Sequence, residues 1–350
     1  MTRPIAPEPS TPDPSAFVAR TPTDLLAVVP AVLGFHPHDS VVLLTFGPPE
    51  GTFHARVDLP LEASDQAAVT EMLVDAVRSN DVRRAALLLY TDDLEAAHAQ
   101  AVLLLGRLLD LGVDVIEVLR VDDGHWYVVP EDGSAGTPYE LETHPFTAQR
   151  VYEGHLVHRD RDELVDSLVG TDEDDTTAVA LAATRFADLV TSSEGTGHPV
   201  HGFLRGEARW LQRRLRARPA EREPLHPRDA GRLLVLASLE PTRDVALAEI
   251  TRMNSGAHVD LWRELVRRSP RELLPGPSSL LALAAWQHGD GALAWCAIDR
   301  CLDVDPDHPL AHFVAEVLTA AVPPGVWHGI PETDLEVFRT SATGEADRAS

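Results

Sequence analysis

The chain contains no lysine, so all 30 of its basic residues are arginine. This absence excludes a Walker-type phosphate-binding lysine, a Schiff-base lysine for pyridoxal phosphate or aldolase chemistry, and a lysine general base. Cysteine is also scarce: Cys296 and Cys301 are the two present, and they face different sides of a predicted helix. The sequence therefore predicts free thiols in a reducing compartment and no disulfide framework.

Long apolar segments are missing as well. No uninterrupted apolar run approaches the ~20 residues that span a bilayer, and residues 1–15 are proline-rich and polar, unlike a signal peptide. We therefore expect a cytoplasmic protein. The formal net charge of −25 would repel phosphates. We expect neither nucleic acid nor a membrane as a partner, and basic or neutral partners are favoured.

The length of 350 residues exceeds what a single core usually supports, which indicates two domains. We predict a mixed α/β domain over 16–170 and an all-helical domain over 171–325, with a disordered tail over 1–15 and a poorly ordered tail over 326–350. Thr23 or Asp24 is the predicted cap of the first helix. Short apolar runs and hairpin turns predict a mixed sheet of about five strands with covering helices, at 40–46, 52–60, 85–90, 113–121 and 125–129.

After about residue 170 nearly every segment shows helical periodicity. Residues 278–306 and a weaker copy ending at Pro270 resemble tetratricopeptide-type helical hairpins, because small residues recur where two helices approach. Pro270 and Pro306 are 36 positions apart, close to the ~34-residue period of that repeat. The overall fold class is therefore α+β or α/β, followed by an all-α helical-hairpin domain of tetratricopeptide-like character.

Three segments support a family resemblance. They are LLAVVPAVLGFHPHDSVV at 25–42, AAWQHGDGALA at 284–294, and Pro323-Pro324 with Trp327. Together they resemble the actinobacterial family called domain of unknown function 4192, over about residues 20–327. That resemblance implies no particular activity. Many relatives carry a cysteine cluster after the segment that is 124–126 here; this chain has none there, which excludes thiolate chemistry at that place.

The turn at His36, His38, Asp39 and Ser40 is the strongest candidate catalytic site. It places two imidazoles, a carboxylate and a hydroxyl at the mouth of a buried strand, where ligand pockets form in α/β sheets. A histidine would act as base and Ser40 as a nucleophile oriented by Asp39. The alternative is a structural turn in which Asp39 and Ser40 satisfy backbone amides. We favour the alternative, because adjacent residues rarely form a triad.

An arginine stripe on the predicted helix 203–218 is a candidate partner-binding site. It would dock a phosphate or an acidic partner. The alternative, which we favour, is a solvated face paired with the protein's own acidic surface. The stripe consists of Arg205, Arg209, Arg213 and Arg216.

Three histidine pairs have the spacing of metal ligands: His155/His158, His198/His201 and His308/His312. There is no HExxH pattern, no pair has a third ligand in sequence, and His308 precedes Pro309 and therefore the helix. We predict no metal and no cofactor.

Two functions remain open. The first is a non-catalytic cytoplasmic binding or protein-interaction module, because repeat-like helices usually present a concave surface to a protein partner. That partner, like the oligomeric state, is unknown from the sequence. The second is a small-molecule enzyme or ligand-binding domain that uses the His36–Ser40 turn.

Overall fold

The structure is a computed structural model that describes residues 19–47, 53–131, 133, 135–152, 157–194, 200–217 and 223–339. The predicted tail over 1–15 lies outside the described residues. The strands are β1 (Ser40–Phe46), β2 (His54–Asp58), β3 (Arg84–Tyr90), β4 (Asp114–Asp122), β5 (His125–Val128) and β6 (Thr137–Pro138).

The helices account for most of the described chain. They are α1 (Pro22–Leu33), α2 (Ala63–Ser79), α3 (Leu94–Asp110), α4 (Pro145–Tyr152), α5 (Arg161–Asp166), α6 (Glu173–Glu194), α7 (Val200–Ala217), α8 (Pro227–Ser238), α9 (Glu240–Ala248), α10 (Ser255–Arg268), α11 (Pro275–His288), α12 (Gly291–Leu302) and α13 (Pro309–Thr319). The α+β fold class predicted from the sequence is confirmed. None of the described helices is long and apolar enough to cross a membrane.

The six strands form one mixed sheet in the order β2-β1-β3-β4-β5-β6. β3 and β4 run parallel and are connected through α3, whereas the other neighbouring strands are antiparallel. The amino end of β1 therefore meets the carboxyl ends of β3 and β4. Ser40 lies opposite Tyr90, and Tyr90 lies opposite Val121. This edge of the sheet positions the candidate site.

The two faces of the sheet bury different partners, because successive side chains alternate across a strand. α2 and α3 cover one face, where Leu43 and Leu87 pack with Leu104. The other face packs against α1 and continues into the helical part of the chain, in one buried cluster that includes Leu88 and Trp262.

The boundary predicted at residue 170 falls between α5 and α6, and the described strands all precede it. The larger core cluster runs across this boundary, and Arg161 of α5 pairs with Asp299 of α12 at 2.7 Å. The division of the chain into separate domains over 16–170 and 171–325 remains a prediction.

The helical part contains the expected hairpin of α11 and α12. Gly289 ends α11 with φ 89°, a left-handed conformation that glycine adopts without a steric cost. The tetratricopeptide-like character of these helices stays a prediction. Residues 326–339, which the sequence places in a poorly ordered tail, form short 3-10 turns in which Leu335 and Val337 are buried.

Candidate functional site

A cleft of about 480 Å³ opens at the sheet edge where β3 and β4 end. The lining includes His36, His38 and Asp39 from the turn that the sequence singled out. Residues after β3 and β4 line the opposite side: Thr91, Asp92, Asp122 and Asp123. Ligands in α/β sheets bind outside the carboxyl ends of parallel strands, which is the position of this cleft.

Backbone hydrogen bonds to His158 fix the amino end of the turn, and the Leu59 amide donates to the Asp39 carbonyl at 2.7 Å near its other end. The His36 amide donates to the His158 carbonyl at 3.2 Å, and the His158 amide donates to the Gly34 carbonyl at 2.7 Å. Asp39 has φ 41°, in the left-handed region that aspartate tolerates better than most residues. Its carboxylate accepts a hydrogen bond from Thr91 Oγ1 at 3.4 Å. The turn is therefore held against the end of β3.

Ser40 is fully buried and does not line the cleft. Its hydroxyl donates to the His38 carbonyl and accepts from Arg56 Nε at 2.8 Å. The hydroxyl therefore donates one hydrogen bond within the turn and accepts one from β2. In this arrangement Ser40 closes the turn, while His36 and His38 face the cleft without a described hydrogen bond to its hydroxyl.

Two tyrosines add neutral hydroxyl groups to the cleft. Tyr90, 8% exposed, and Tyr139 both contribute to the lining. Burial, followed by the proximity of Tyr139, raises the pKa of Tyr90 well above its ordinary value, and burial raises the pKa of Tyr139. Among the described residues neither hydroxyl has a hydrogen-bond partner. A ligand in the cleft would therefore meet two phenols that are free to donate or accept.

The cleft is acidic. Of its four aspartates, Asp122 pairs with Arg120 at 3.1 Å. Asp39, Asp92 and Asp123 form no ion pair within the described part of the chain, and no arginine of that part lines the cleft. Burial and the charge of His38 lower the pKa of His36, which keeps that imidazole neutral near pH 7. The arrangement favours a positively charged ligand.

The sequence pointed to the turn but missed the rest of the cleft. Tyr90 ends the predicted strand 85–90, and 122–124 connect the predicted strands 113–121 and 125–129, so strand prediction alone indicates no site there. Polar residues directly after two strands connected by a helix were the available signal, because a parallel pair brings such residues together.

Buried Arg120 is a second residue that the sequence did not single out. It lies behind the cleft, donating to the Thr91 carbonyl at 3.0 Å and pairing with Glu131 at 2.6 Å.

The arginine stripe lies on α7, far along the chain from the cleft. Arg205 donates to the carbonyls of Val337, Phe338 and Arg339, at 3.2, 3.1 and 2.8 Å. The remaining members bond as follows: Arg209 pairs with Glu332 at 2.6 Å, Arg216 pairs with Glu249 at 2.6 Å, and Arg213 is exposed. Docking of an external partner on this stripe remains a prediction.

Among the described residues, no three histidine, cysteine or acidic side chains are grouped as a metal site requires. His155, His198 and the side chain of His201 lie outside the described residues. His308 is the N-cap of α13, accepting from the Ala311 amide at 3.4 Å, and His312 contacts the Pro306 carbonyl at 2.7 Å.

Cys296 and Cys301 are free and buried. Burial raises their pKa values to about 11 and about 12. Neither is therefore a thiolate nucleophile near neutral pH.

The structure is that of an α+β protein with a polar cleft at the end of β3 and β4. The chain belongs to the family described as domain of unknown function (DUF4192), whose model matches residues 22–325. No curated protein and no solved structure matches the chain.

Proposed function

We propose that the protein is a non-catalytic binding module that takes a small organic cation, carrying amino or guanidinium groups, in the acidic cleft. The main support is the lining itself: four aspartates with no arginine of the described chain among them. The positively charged groups of such a ligand would meet Asp39, Asp92 and Asp123 along the wall of the cleft. The net charge of −25 would also raise the local concentration of such a ligand.

The two tyrosines favour an organic cation over a bare ion. A phenol ring attracts an amino or guanidinium group through its face, and its hydroxyl accepts a hydrogen bond from the same group. Tyr90 is nearly buried, yet its hydroxyl has no partner among the described residues. Tyr90 lines the cleft, so its hydroxyl is available to a hydrogen-bonding group of a ligand.

The non-catalytic character rests on Ser40. Its hydroxyl is buried, bonded to the His38 carbonyl and to Arg56, and absent from the lining of the cleft. The alternative, an enzyme that uses Ser40 as nucleophile, would require that hydroxyl to leave both partners and reach a histidine. The binding function needs no such rearrangement.

Calorimetric titration of the full chain with spermidine and with agmatine tests the proposal. Asp39→Asn keeps the shape and the left-handed backbone, because asparagine also adopts that conformation. Removing one partly screened charge should weaken binding about fivefold.

The matched control is Asp81→Asn. Asp81 has φ 47° and is exposed, but it precedes β3 and so lies at the other end of that strand, roughly 23 Å from Tyr90. The Asp81→Asn variant should bind both amines as tightly as the parent protein does. Equal weakening by the two substitutions would indicate diffuse attraction to an acidic surface and would refute the proposal, as would the absence of any binding heat.

A further inference from the structure

A second cavity, of about 840 Å³, lies between the outermost strand, β2, and the helical part of the chain. Six consecutive residues, from Phe53 to Asp58, line it. Because neighbouring side chains of a strand point to opposite faces, a cavity that touches all six runs along the strand edge and not over one face. β2 is the outermost strand, so among the described residues this edge has no neighbouring strand. We call this cavity the edge slot.

The backbone of β2 presents free hydrogen-bonding groups to the edge slot. The Leu59 amide donates to the Asp39 carbonyl at 2.7 Å, and the Phe53 amide donates to Thr45 Oγ1 at 2.9 Å. In an antiparallel pair, alternate residues bond to the partner strand, so these two bonds fix the alternation. His54, Arg56 and Asp58 therefore direct their N–H and C=O groups away from β1. Within the described chain these groups have no backbone partner.

The opposite wall of the edge slot is apolar and contains small residues. Trp295, 37% exposed, and Leu318 contribute apolar surface, while Gly289, Gly291 and Ala292 leave room beside the helices. All three segments of the family resemblance contribute to the slot, through Phe35, Trp286 and Pro323 among others. A wall of this kind suits the side chains of an extended polypeptide.

One end of the edge slot carries charges of both signs. Arg56 pairs with Asp58 at 2.7 Å, and Arg161 pairs with Asp299 at 2.7 Å. Burial lowers the pKa of Arg56, and the charge of Arg161 adds to that effect while Asp58 opposes it. Asp162 also lines the slot, so the two arginines have carboxylates beside them and an added segment needs no charged side chain there.

We propose that the edge slot binds an extended segment of a partner polypeptide as an added strand beside β2. Main-chain hydrogen bonds join the segment to His54, Arg56 and Asp58, and its apolar side chains face Trp295 and Leu318. Strand addition of this kind obtains affinity from the backbone and specificity from alternate side chains. The site is separate from the acidic cleft and does not depend on the function proposed there.

A random heptapeptide library displayed on phage and selected against the full chain supplies the probe, and the selected peptide is then synthesised. We expect apolar residues at alternate positions of the peptide. Two derivatives of the peptide are then compared, one N-methylated at the odd positions and one at the even positions. One derivative should bind about tenfold more weakly or worse and the other like the unmodified peptide, because only every second peptide amide faces β2. Equal effects of the two methylation patterns, or no peptide that binds below ~1 mM, would overturn the proposal.

Amide hydrogen exchange locates the peptide. Saturation should slow exchange at Arg56 and Asp58 about tenfold, whereas Ala55 and Val57, whose amides already face β1, serve as controls within the same strand. Protection elsewhere would assign the peptide to another surface and contradict the proposal. Strong protection of Arg56 and Asp58 before any peptide is added would do the same, because the slot would then be filled by this chain.

Discussion

Arg56 donates a hydrogen bond from Nε to the hydroxyl of Ser40, at 2.8 Å, across the pairing of β2 with β1. Arg56 also lines the edge slot, and Ser40 closes the turn that borders the acidic cleft. One buried hydroxyl therefore connects the two candidate binding sites. The contact explains why a serine stands at the start of an otherwise apolar strand.

Ser40→Ala removes both hydrogen bonds of this hydroxyl and leaves Arg56 Nε without its partner. We expect the free energy of unfolding to fall by about 1–2 kcal/mol, measured by urea denaturation. Ser64→Ala, at an exposed serine in the first turn of α2, should change it by less than about 0.5 kcal/mol. Equal stability of the two variants would contradict a structural role for Ser40.

A close contact between α6 and α8 predicts the effect of a single methyl group. A Cβ added at Gly231 of α8 would lie 2.5 Å from the Ala183 amide nitrogen of α6. That atom belongs to the backbone and cannot move aside, so Gly231→Ala should cost about 2–3 kcal/mol. Gly106 lies inside α3, where a Cβ would meet nothing within 4 Å.

Gly106→Ala is thus the matched control, and it should raise the free energy of unfolding by about 1 kcal/mol through helix propensity alone. Thermal denaturation of the two variants would give melting points on opposite sides of the parent. A stabilising Gly231→Ala would show that α6 and α8 are farther apart than described.

Local patterns predicted most of the fold. The bounds of β1, 40–46, agree with the sequence prediction, because a mostly apolar run of strand length has few alternatives. The cap of α1 was wrong: Thr21 forms the capping box with Asp24, and the helix begins at Pro22. Proline suits the first position of a helix, so the helix begins earlier in the chain than predicted. β6 was missed because two residues have no periodicity.

The sites could be predicted only in part, since they depend on contacts between distant segments. The turn at 36–40 was visible because its polar residues are consecutive. Tyr90 and Asp122 join it only through the register of β1, β3 and β4. The edge slot needed the position of β2 in the sheet and the approach of α12, neither of which periodicity can supply.

The hydrogen bonds of Arg205 are expected to hold the segment 337–339 in place. Arg205 bonds to three carbonyls of the segment 337–339, and Arg209 lies over the ring of Phe338, with its guanidinium carbon 4.2 Å from the ring centre. Arg205→Ala removes three charge-assisted hydrogen bonds. We expect amide exchange in 335–339 to become about tenfold faster, which corresponds to about 1.4 kcal/mol of local opening energy.

Arg213→Ala is the control for this experiment. Arg213 lies on the same helix but is exposed, so its removal should leave the exchange of 335–339 unchanged. Comparable acceleration by both substitutions would show that the segment responds to the net charge of α7 and not to the bonds of Arg205.

His258 predicts how stability depends on pH. It is 4% exposed on α10, and its Nδ1 has no hydrogen-bond partner. Burial, partly offset by Glu249, lowers its pKa from 6.5 to about 4. The unfolded chain therefore takes up this proton between pH 6.5 and about 4 while the folded chain does not. The contribution to stability is complete above pH 6.5 and is lost as the pH falls, by about 3 kcal/mol in total.

His258→Gln removes the titrating group. Urea denaturation between pH 4.5 and 7 should show a shallower decline for the variant, with the difference in slope reaching at most about 1.4 kcal/mol per pH unit. The region above pH 6.5 is the internal control, because there the two curves should run parallel whatever the substitution costs. His54, whose pKa burial also lowers to about 4, accounts for part of the decline that the variant retains. Identical slopes below pH 6 would mean that His258 is hydrated in the folded protein.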